Sequence, residues 1–559
     1  MKNNDGMTRQ TTVGKYLIRR LEECGLRHVF GIPGDYVLGF YDLLVESKMS
    51  LVGTCTEIGA GFAADAYARV NGLSVMCITY CVGGLNAINA VAGAYAEKSP
   101  LIVISGAPGL QERKRSPLLH HAVKDFHTQL QIYEKVTVAA RALEDPETAP
   151  DQIDECIAAC RRYKRPVYLE LPRDVVNQPC AAPRPLVEEV LTSDPAALKE
   201  AIAEATAMIK AAKKRIVLGG VELHRFGLQD RVIQLVEKTG MPIAATLLGK
   251  SIISERHPNY VGVYEGALGE EGLRRTVEEA DCLLILGAFM TDIELGVFTA
   301  NLEVARTIHA TTERISIKHH HYEKVLLGDF ISGLTRSLVS GGGALKPGKV
   351  QRRKALAGKR FVPRGKKPCT VKRFFERMED YLEENTVVIS DIGDSLFGAA
   401  DLTIHKRTEF LSPAFYTSMG FAVPAALGAQ IGARKLRPVV FVGDGAFQMT
   451  GMELSTIARY GLNPIVIVLN NKGFTTERFI NEGPYNDVHE WAYHLTPQVL
   501  RKGWGCEVRT EGELEEALVT ARSNTQSFSI INLHLDKLDR SKALDRLGNH
   551  LSRHAGFKK

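Results

Sequence analysis

The sequence predicts an α/β protein of three consecutive domains, each a mainly parallel sheet flanked by helices. Three observations carry this reading. Short apolar runs recur along the 559 residues, each followed by a small or glycine-rich turn. Helical stretches alternate with those runs, the pattern of parallel sheets joined by helical crossovers. Two breaks in composition divide the chain.

The first runs are SVMCITY (74–80), LIVIS (101–105) and PVYLEL (166–171), with the helical stretch EIGAGFAADAYARV (57–70) ahead of them. Short and rich in β-branched residues, the runs read as strands buried on both faces. Residues 172–196 carry Pro172, Pro179, Pro183, Pro185 and Pro195. No sheet or helix interior accepts that spacing, so the stretch reads as a linker. RIVL (215–218) and CLLIL (282–286) follow as strands, with LQDRVIQLVEKTG (228–240) as a helix. Residues 340–368 are basic and poor in apolar side chains, which reads as a second, solvated linker. VVIS (387–390), PVVFV (438–442) and PIVIVL (464–469) are the last strands, and GMELSTIARYG (451–461) is a helix among them. Domains at 8–175, 195–340 and 370–545 result. Whether the first and third share a topology is open at this level.

Lys and Arg number 70 and Asp and Glu 64, a net charge of +6 that gives no reason to expect a nucleic-acid partner. The ten cysteines are scattered without a C-x-x-C pair. That argues against a disulfide framework or a structural zinc module and for reduced thiols in the cytoplasm. No apolar run reaches the roughly 18 residues of a membrane-spanning helix. The polar start, MKNNDGMTRQTTVGKY, lacks an apolar signal core and is expected to be a short tail.

The chemistry-bearing pattern lies late in the chain. PVVFV runs into Gly443-Asp444-Gly445, and PIVIVL ends in Asn470-Asn471-Lys472-Gly473, 24 residues after the first turn. Both turns fall at carboxyl ends of parallel strands, where open α/β sheets bind ligands. Asp444, the Asn471 amide oxygen and the Gly473 carbonyl form an all-oxygen set suited to a small hard cation such as Mg²⁺. Amides at Gly445 and Ala446 could meet a diphosphate.

The segments GIPGDY (31–36), TEIGAGFAADAYAR (56–69), AVAGAYAEKSPLIVISGAPG (90–109), LLHHAVKDF (118–126), GDGAFQMTG (443–451) and NNKGFTTERF (470–479) span nearly the whole chain. Together they resemble the thiamine-diphosphate (ThDP) enzymes. Within these they resemble the pyruvate decarboxylase group of 2-oxo acid decarboxylases, above all the phenylpyruvate and indolepyruvate decarboxylases. The resemblance implies a pyrimidine-binding first domain, a regulatory or structural middle domain and a diphosphate-binding third domain. It also implies ThDP and Mg²⁺ as cofactors. The cofactor would lie between the first domain of one subunit and the third of another, so a homodimer at least, and commonly a tetramer.

Taken alone, Glu57 reads as a first-turn acid favoured by the helix dipole. The resemblance makes it the cofactor-activating glutamate, sharing a proton with the pyrimidine so that the ylide forms. Decarboxylation then gives an enamine, and protonation gives the aldehyde. Asp35, His120, His121 and Glu477 match the family's proton-handling set, for which groups titrating near neutrality are useful. Met419 matches the apolar wedge beneath the cofactor, and the neighbouring Thr417 matches the segment touching its pyrimidine. Gly393 and Phe474 complete the implied cofactor contacts.

One departure bears on substrate. Within Asp391–Phe397, Leu396 stands where pyruvate-specific members carry an indole. With Phe397, Thr476 and Ile480 it is expected to line a wider apolar pocket. That favours an aromatic or branched 2-oxo acid, phenylpyruvate or indole-3-pyruvate first, each added buried methylene being worth about 0.8 kcal/mol. A pyruvate-preferring decarboxylase and a ThDP carboligase are the alternatives, although the His120-His121 pair argues against acetolactate-synthase-like carboligases. A nicotinamide dehydrogenase would need G-x-G-x-x-G opening a helix, and no convincing instance occurs. A non-catalytic scaffold would not be expected to keep Glu57, Asp444 and Asn471 together. His319-His320-His321 reads as a sheet edge rather than a metal site, because alternation sends neighbouring side chains to opposite faces. Asp292 reads as a helix cap.

Overall fold

The computed structural model describes residues 11–114, 117–185, 191–339, 361–405 and 410–546. Two compact units divide the chain. The first takes residues up to 189 with 423–435 and 450–462; the second takes 190–422, 436–449 and the remainder from 463.

The strands of the first unit are β1 (Thr11–Thr12), β2 (His28–Gly31), β3 (Ser50–Gly53), β4 (Ser74–Ile78), β5 (Leu101–Ala107), β6 (Ala139–Ala142), β7 (Val167–Pro172) and β8 (Pro179–Cys180). Six form a parallel sheet in the order β3-β2-β4-β5-β7-β6. Every residue of β4, β5 and β7 is buried, which explains their unbroken apolar runs. The Ala/Gly-rich helix Glu57–Asn71 is buried through most of its length, so small side chains are what its surroundings admit.

The proline-rich stretch is more ordered than a linker. Pro172 closes β7, Pro179 opens β8 opposite Thr12 of β1, and Pro195 opens the helix Pro195–Ala211 behind an Asp194 cap. Strand ends and first helical turns are where a missing N–H costs least. Residues 186–190 lie outside the described residues.

The second unit holds two sheets. The strands of one are β9 (Arg215–Gly219), β10 (Ile243–Ala245), β11 (Tyr260–Val263), β12 (Cys282–Leu286), β13 (Thr307–Ala310), β14 (Ile315–Ile317) and β15 (His320–Tyr322), in the order β11-β10-β9-β12-β13-β14-β15. Only the β13-β14 and β14-β15 pairings are antiparallel. His320 and His321 are exposed on edge strand β15, bonded to Glu204 and Ser316 respectively. Asp292 caps no helix. It is exposed in a series of turns, and the Thr291 hydroxyl takes the Glu294 N–H instead.

The strands of the other sheet are β16 (Thr386–Ser390), β17 (Phe410–Leu411), β18 (Arg437–Gly443), β19 (Ile465–Asn470), β20 (Trp504–Val508) and β21 (Ser529–His534), all parallel in the order β17-β16-β18-β19-β21-β20. Counting each sheet from its own first strand, this one and the sheet of the first unit share the order 2-1-3-4-6-5. The chain therefore uses one topology twice. In both, the order reverses between the first and third strands, the crevice where such sheets take ligands.

Of the basic stretch, residues 340–360 lie outside the described residues. The remainder is fastened: the Phe361 N–H donates to Asp380 at 2.6 Å and the Arg364 N–H to Glu511 at 2.8 Å. The stretch read as one helix at 451–461 is a 3-10 turn, Gly451–Glu453, leading into the α-helix Leu454–Arg459. No described helix is long and apolar enough to cross a membrane.

Candidate active site

In the first unit the candidate residues follow β2 and β3. β3 ends at Gly53, and the Thr56 hydroxyl then caps the next helix by accepting the Gly59 N–H at 3.1 Å. Glu57 is the first helical residue and stays half-buried. Asn86 donates its side-chain amide to Glu57 Oε2 at 2.6 Å.

Asp35 follows β2. His120 Nε2 lies 2.8 Å from Asp35 Oδ2, and the His120 ring stacks on Tyr36 with centroids 4.7 Å apart. His121 packs edge-on to His120 at 4.7 Å. Its backbone is left-handed, φ 67°, an unfavourable conformation for a residue with a side chain. Its Nδ1 is buried and has no hydrogen-bond partner among the described residues. Arg173 comes within 3.8 Å of Asp35 and lies over the Tyr36 ring at 5.1 Å. The structure thus brings Asp35, His120 and His121 into one cluster, with Tyr36 and Arg173 as supports that the sequence did not single out.

In the second unit, register sets Gly443 of β18 beside Leu469 of β19, so Asp444 and Asn471 leave adjacent strands one after the other. Asp444 Oδ1 accepts the Gly445 N–H at 2.7 Å, and Oδ2 accepts the Gly473 N–H at 3.1 Å. Burial nonetheless pushes its carboxyl up to about 6. Asn471 donates to the Thr475 hydroxyl, while its Oδ1 is buried without a partner among the described residues. Gly473 has to be glycine: a Cβ there would lie 2.1 Å from the Asn486 carbonyl oxygen. Phe474 lies against Gly445, whose Cβ would fall 2.3 Å from the ring. Ala446 is buried.

Asp391, just past β16, is fully buried and ties two segments together. Its Oδ1 accepts N–H groups from Ile392 at 3.0 Å and Gly420 at 3.1 Å, and Oδ2 accepts that of Ala422 at 2.9 Å. Burial pushes this carboxyl, too, up to about 6. The bonds hold the segment bearing half-buried Met419 and left-handed Thr417, φ 56°, to the turn that carries Gly393. Thr476 Oγ1 lies 3.6 Å from where a Gly393 Cβ would be and has no hydrogen-bond partner among the described residues. Glu477 is exposed and Ile480 half-buried on the helix Thr475–Ile480. Leu396 sits fully buried in the hydrophobic core, and Phe397 packs with Leu268, Ala543 and Leu544.

Residues 11–132 match the thiamine pyrophosphate enzyme N-terminal TPP binding domain, 202–336 its central domain and 391–533 its C-terminal TPP binding domain. The chain is 36% identical to an indole-3-pyruvate decarboxylase of Azospirillum brasilense over 533 residues, 92% of this chain and 94% of that one. It is 33% identical to a probable pyruvate decarboxylase of Schizosaccharomyces pombe over 563 residues, 99% and 98% of the two chains. An alpha-keto-acid decarboxylase of Mycolicibacterium paratuberculosis is also 33% identical, over 96% of each chain. The chain belongs to the thiamine-diphosphate-dependent 2-oxo acid decarboxylases.

The residues of the decarboxylase suit the groups its family uses. A buried carboxylate and an unsatisfied amide oxygen on adjacent strand ends are oxygen donors that a small divalent cation could satisfy. Glu57 has one oxygen engaged by Asn86 and the other outside that bond. Asn86 and Asp391 could not be singled out in advance, because each acts through a partner far away in sequence.

Proposed function

We propose that the decarboxylase converts an aromatic or branched 2-oxo acid, phenylpyruvate or indole-3-pyruvate first, to the aldehyde and CO₂. The observation that carries this substrate reading is the space beside Gly393, where, among the described residues and its chain neighbours aside, Thr476 alone comes within 4 Å of an added Cβ. The indole-3-pyruvate decarboxylase among the relatives supports it. Relatives named pyruvate decarboxylase favour the second reading, a pyruvate preference.

Bound ThDP supplies an electron-accepting carbon that takes up the pair left by departing CO₂. The rest falls to the chain. Glu57 Oε1 holds the proton shared with the pyrimidine ring, while Asn86 fixes the other oxygen. Asp444, Asn471 Oδ1 and the Gly473 carbonyl would hold Mg²⁺, whose charge would offset that of the diphosphate. Met419 would support the cofactor, and Thr417, Gly393, Gly445, Ala446 and Phe474 would line its seat. Asp35, His120 and His121 deliver a proton to the product carbon, and Glu477 attends the substrate carboxylate. Thr476 and Ile480 set the pocket's width, while Leu396 and Phe397, expected to line it, pack into the core instead.

Two copies associate in this reading. The first unit of one supplies Glu57 and the second unit of the other supplies Asp444, and dimers pair further into tetramers. A cytoplasmic location fits ten unpaired cysteines. Incubating each oxo acid with and without an acceptor aldehyde tests the reaction class: simple aldehyde as the main product supports decarboxylation, and acyloin as the main product contradicts it.

A further inference from the structure

Glu453 is 1% exposed, and no ion pair to it occurs among the described residues. Its hydrogen-bond partners among the described residues are neutral. Oε1 accepts the Cys55 N–H at 3.0 Å and the Thr56 N–H at 3.1 Å. Oε2 lies 3.2 Å from the same Cys55 N and accepts the Thr456 hydroxyl at 2.8 Å. Burial raises its carboxyl. A buried carboxylate is costly unless its hydrogen bonds offset the loss of water. Here they do so on the two residues immediately before Glu57.

The first turn of the Glu57 helix is built around this contact. Gly59 sits at its third position, where alanine would favour the helix by about 1 kcal/mol. Its φ is not positive, so conformational freedom does not explain it. Space does: a Cβ on Gly59 would lie 2.1 Å from Glu453 Oε1. The same segment, 450–462, also holds the end of β3. The Tyr460 hydroxyl accepts the Gly53 N–H at 3.1 Å and donates to the Leu51 carbonyl at 2.9 Å. Two side chains some 400 residues away in sequence thus clamp the path from strand end to helix start.

We propose that Glu453 is a positioning residue for the reaction: it fixes the Cys55–Thr56 turn so that Glu57 meets the cofactor's pyrimidine in register, and Gly59 exists to admit it. The proposal rests on Glu57 being the cofactor-activating glutamate. A displacement of about 1 Å at such a contact is enough to cost on the order of 100-fold in rate.

The test compares Glu453→Ala, Glu453→Gln, Gly59→Ala and Glu57→Gln as full-length holoenzymes. The readouts are kcat and KM, ThDP affinity, thermal midpoint and the circular-dichroism band of the bound cofactor's pyrimidine tautomer. Glutamine can accept both N–H groups on one oxygen and donate to Thr456, so Glu453→Gln should stay within about threefold of wild type. Glu453→Ala should lose about 10- to 100-fold in kcat, with KM within about twofold and the tautomer band diminished. Gly59→Ala should show the same signature and decides the matter if Glu453→Ala does not fold. Wild-type kcat and tautomer band in folded, cofactor-bound Glu453→Ala, or in Gly59→Ala, would overturn the proposal. A fully active Glu57→Gln would overturn the role of Glu57 itself, and the positioning role with it; an inactive Glu57→Gln beside a normal Glu453→Ala would overturn the positioning role alone.

Discussion

Asn86 and Glu57, on different helices, are joined by a 2.6 Å hydrogen bond that leaves one glutamate oxygen outside it. In the proposed role, the oxygen outside this bond is the one that exchanges a proton with the cofactor. Glu57→Gln should therefore keep the fold and much of the cofactor affinity while turnover falls by about 10²- to 10⁴-fold. Asn86→Leu should give a smaller loss in kcat. Single-turnover kinetics with measured cofactor occupancy check both, and near-wild-type turnover in Glu57→Gln would refute the assigned role.

Asp444, the proposed cation ligand, offers a test of binding against stability. Its folded carboxyl is raised to about 6, so above that pH a charge is held in a buried place. Asp444→Asn removes that charge. At pH 8 and without cofactors the variant should melt no lower than wild type. The upward shift that ThDP with Mg²⁺ gives the wild type should vanish, since a ligand stabilises only what binds it. Scanning fluorimetry with and without EDTA reads both effects. A full cofactor shift in the variant would count against the cation site.

Asp394 offers a pH test away from the proposed cation ligands. It is buried, accepts the Ser541 N–H at 2.8 Å and bonds the Ser541 hydroxyl. Its carboxyl is pushed up to about 6 by burial, against an ordinary value near 4. The folded state therefore binds more protons than the unfolded one between these values. Its stabilising contribution is present below about pH 4 and lost as pH rises through 6, on the order of 3 kcal/mol for a shift of about two units. Asn can accept the Ser541 N–H and donate to its hydroxyl. The stability of Asp394→Asn relative to wild type should climb between about pH 4 and 6 and then level off. A difference that does not change with pH would show that Asp394 titrates normally.

Much of the fold was legible because buried parallel strands announce themselves: β4, β5, β12, β18 and β19 each coincide with an apolar run ending in a small-residue turn. Pairing order was not, since the shared 2-1-3-4-6-5 arrangement depends on crossovers that no local pattern encodes. Among the described residues the proline stretch enters regular elements only at Pro172, at Pro179–Cys180 and from Pro195, because proline is excluded from element interiors, not from their ends; 181–185 and 191–194 carry no helix or strand. Among site residues, those inside a motif were nameable, as with Asp444 and Asn471. Those whose partner is distant, as with Asn86, Asp391 and Glu453, carry no sequence signal. Leu396 shows the converse: comparison with an indole suggested open space, whereas its side chain fills the core beneath the turn.

Subunit sharing can be read directly by complementation. Glu57→Gln and Asp444→Asn should each be nearly inactive. If each site draws Glu57 from one copy and Asp444 from another, randomly mixed dimers should regain about a quarter of wild-type activity, because half are mixed and each mixed dimer has one intact site. No recovery after verified subunit exchange would contradict the shared site.

The most direct measurement of the central claim is kcat/KM, with ThDP and Mg²⁺ present, for phenylpyruvate, indole-3-pyruvate, 2-oxoisovalerate and pyruvate. Aldehyde formation is followed through a coupled alcohol dehydrogenase verified on each product. The account predicts CO₂ and aldehyde from the aromatic acids with kcat/KM at least about tenfold above pyruvate, the discrimination expected of a pocket that buries the larger side chain. Preference for pyruvate would contradict the aromatic reading while leaving the decarboxylase in place.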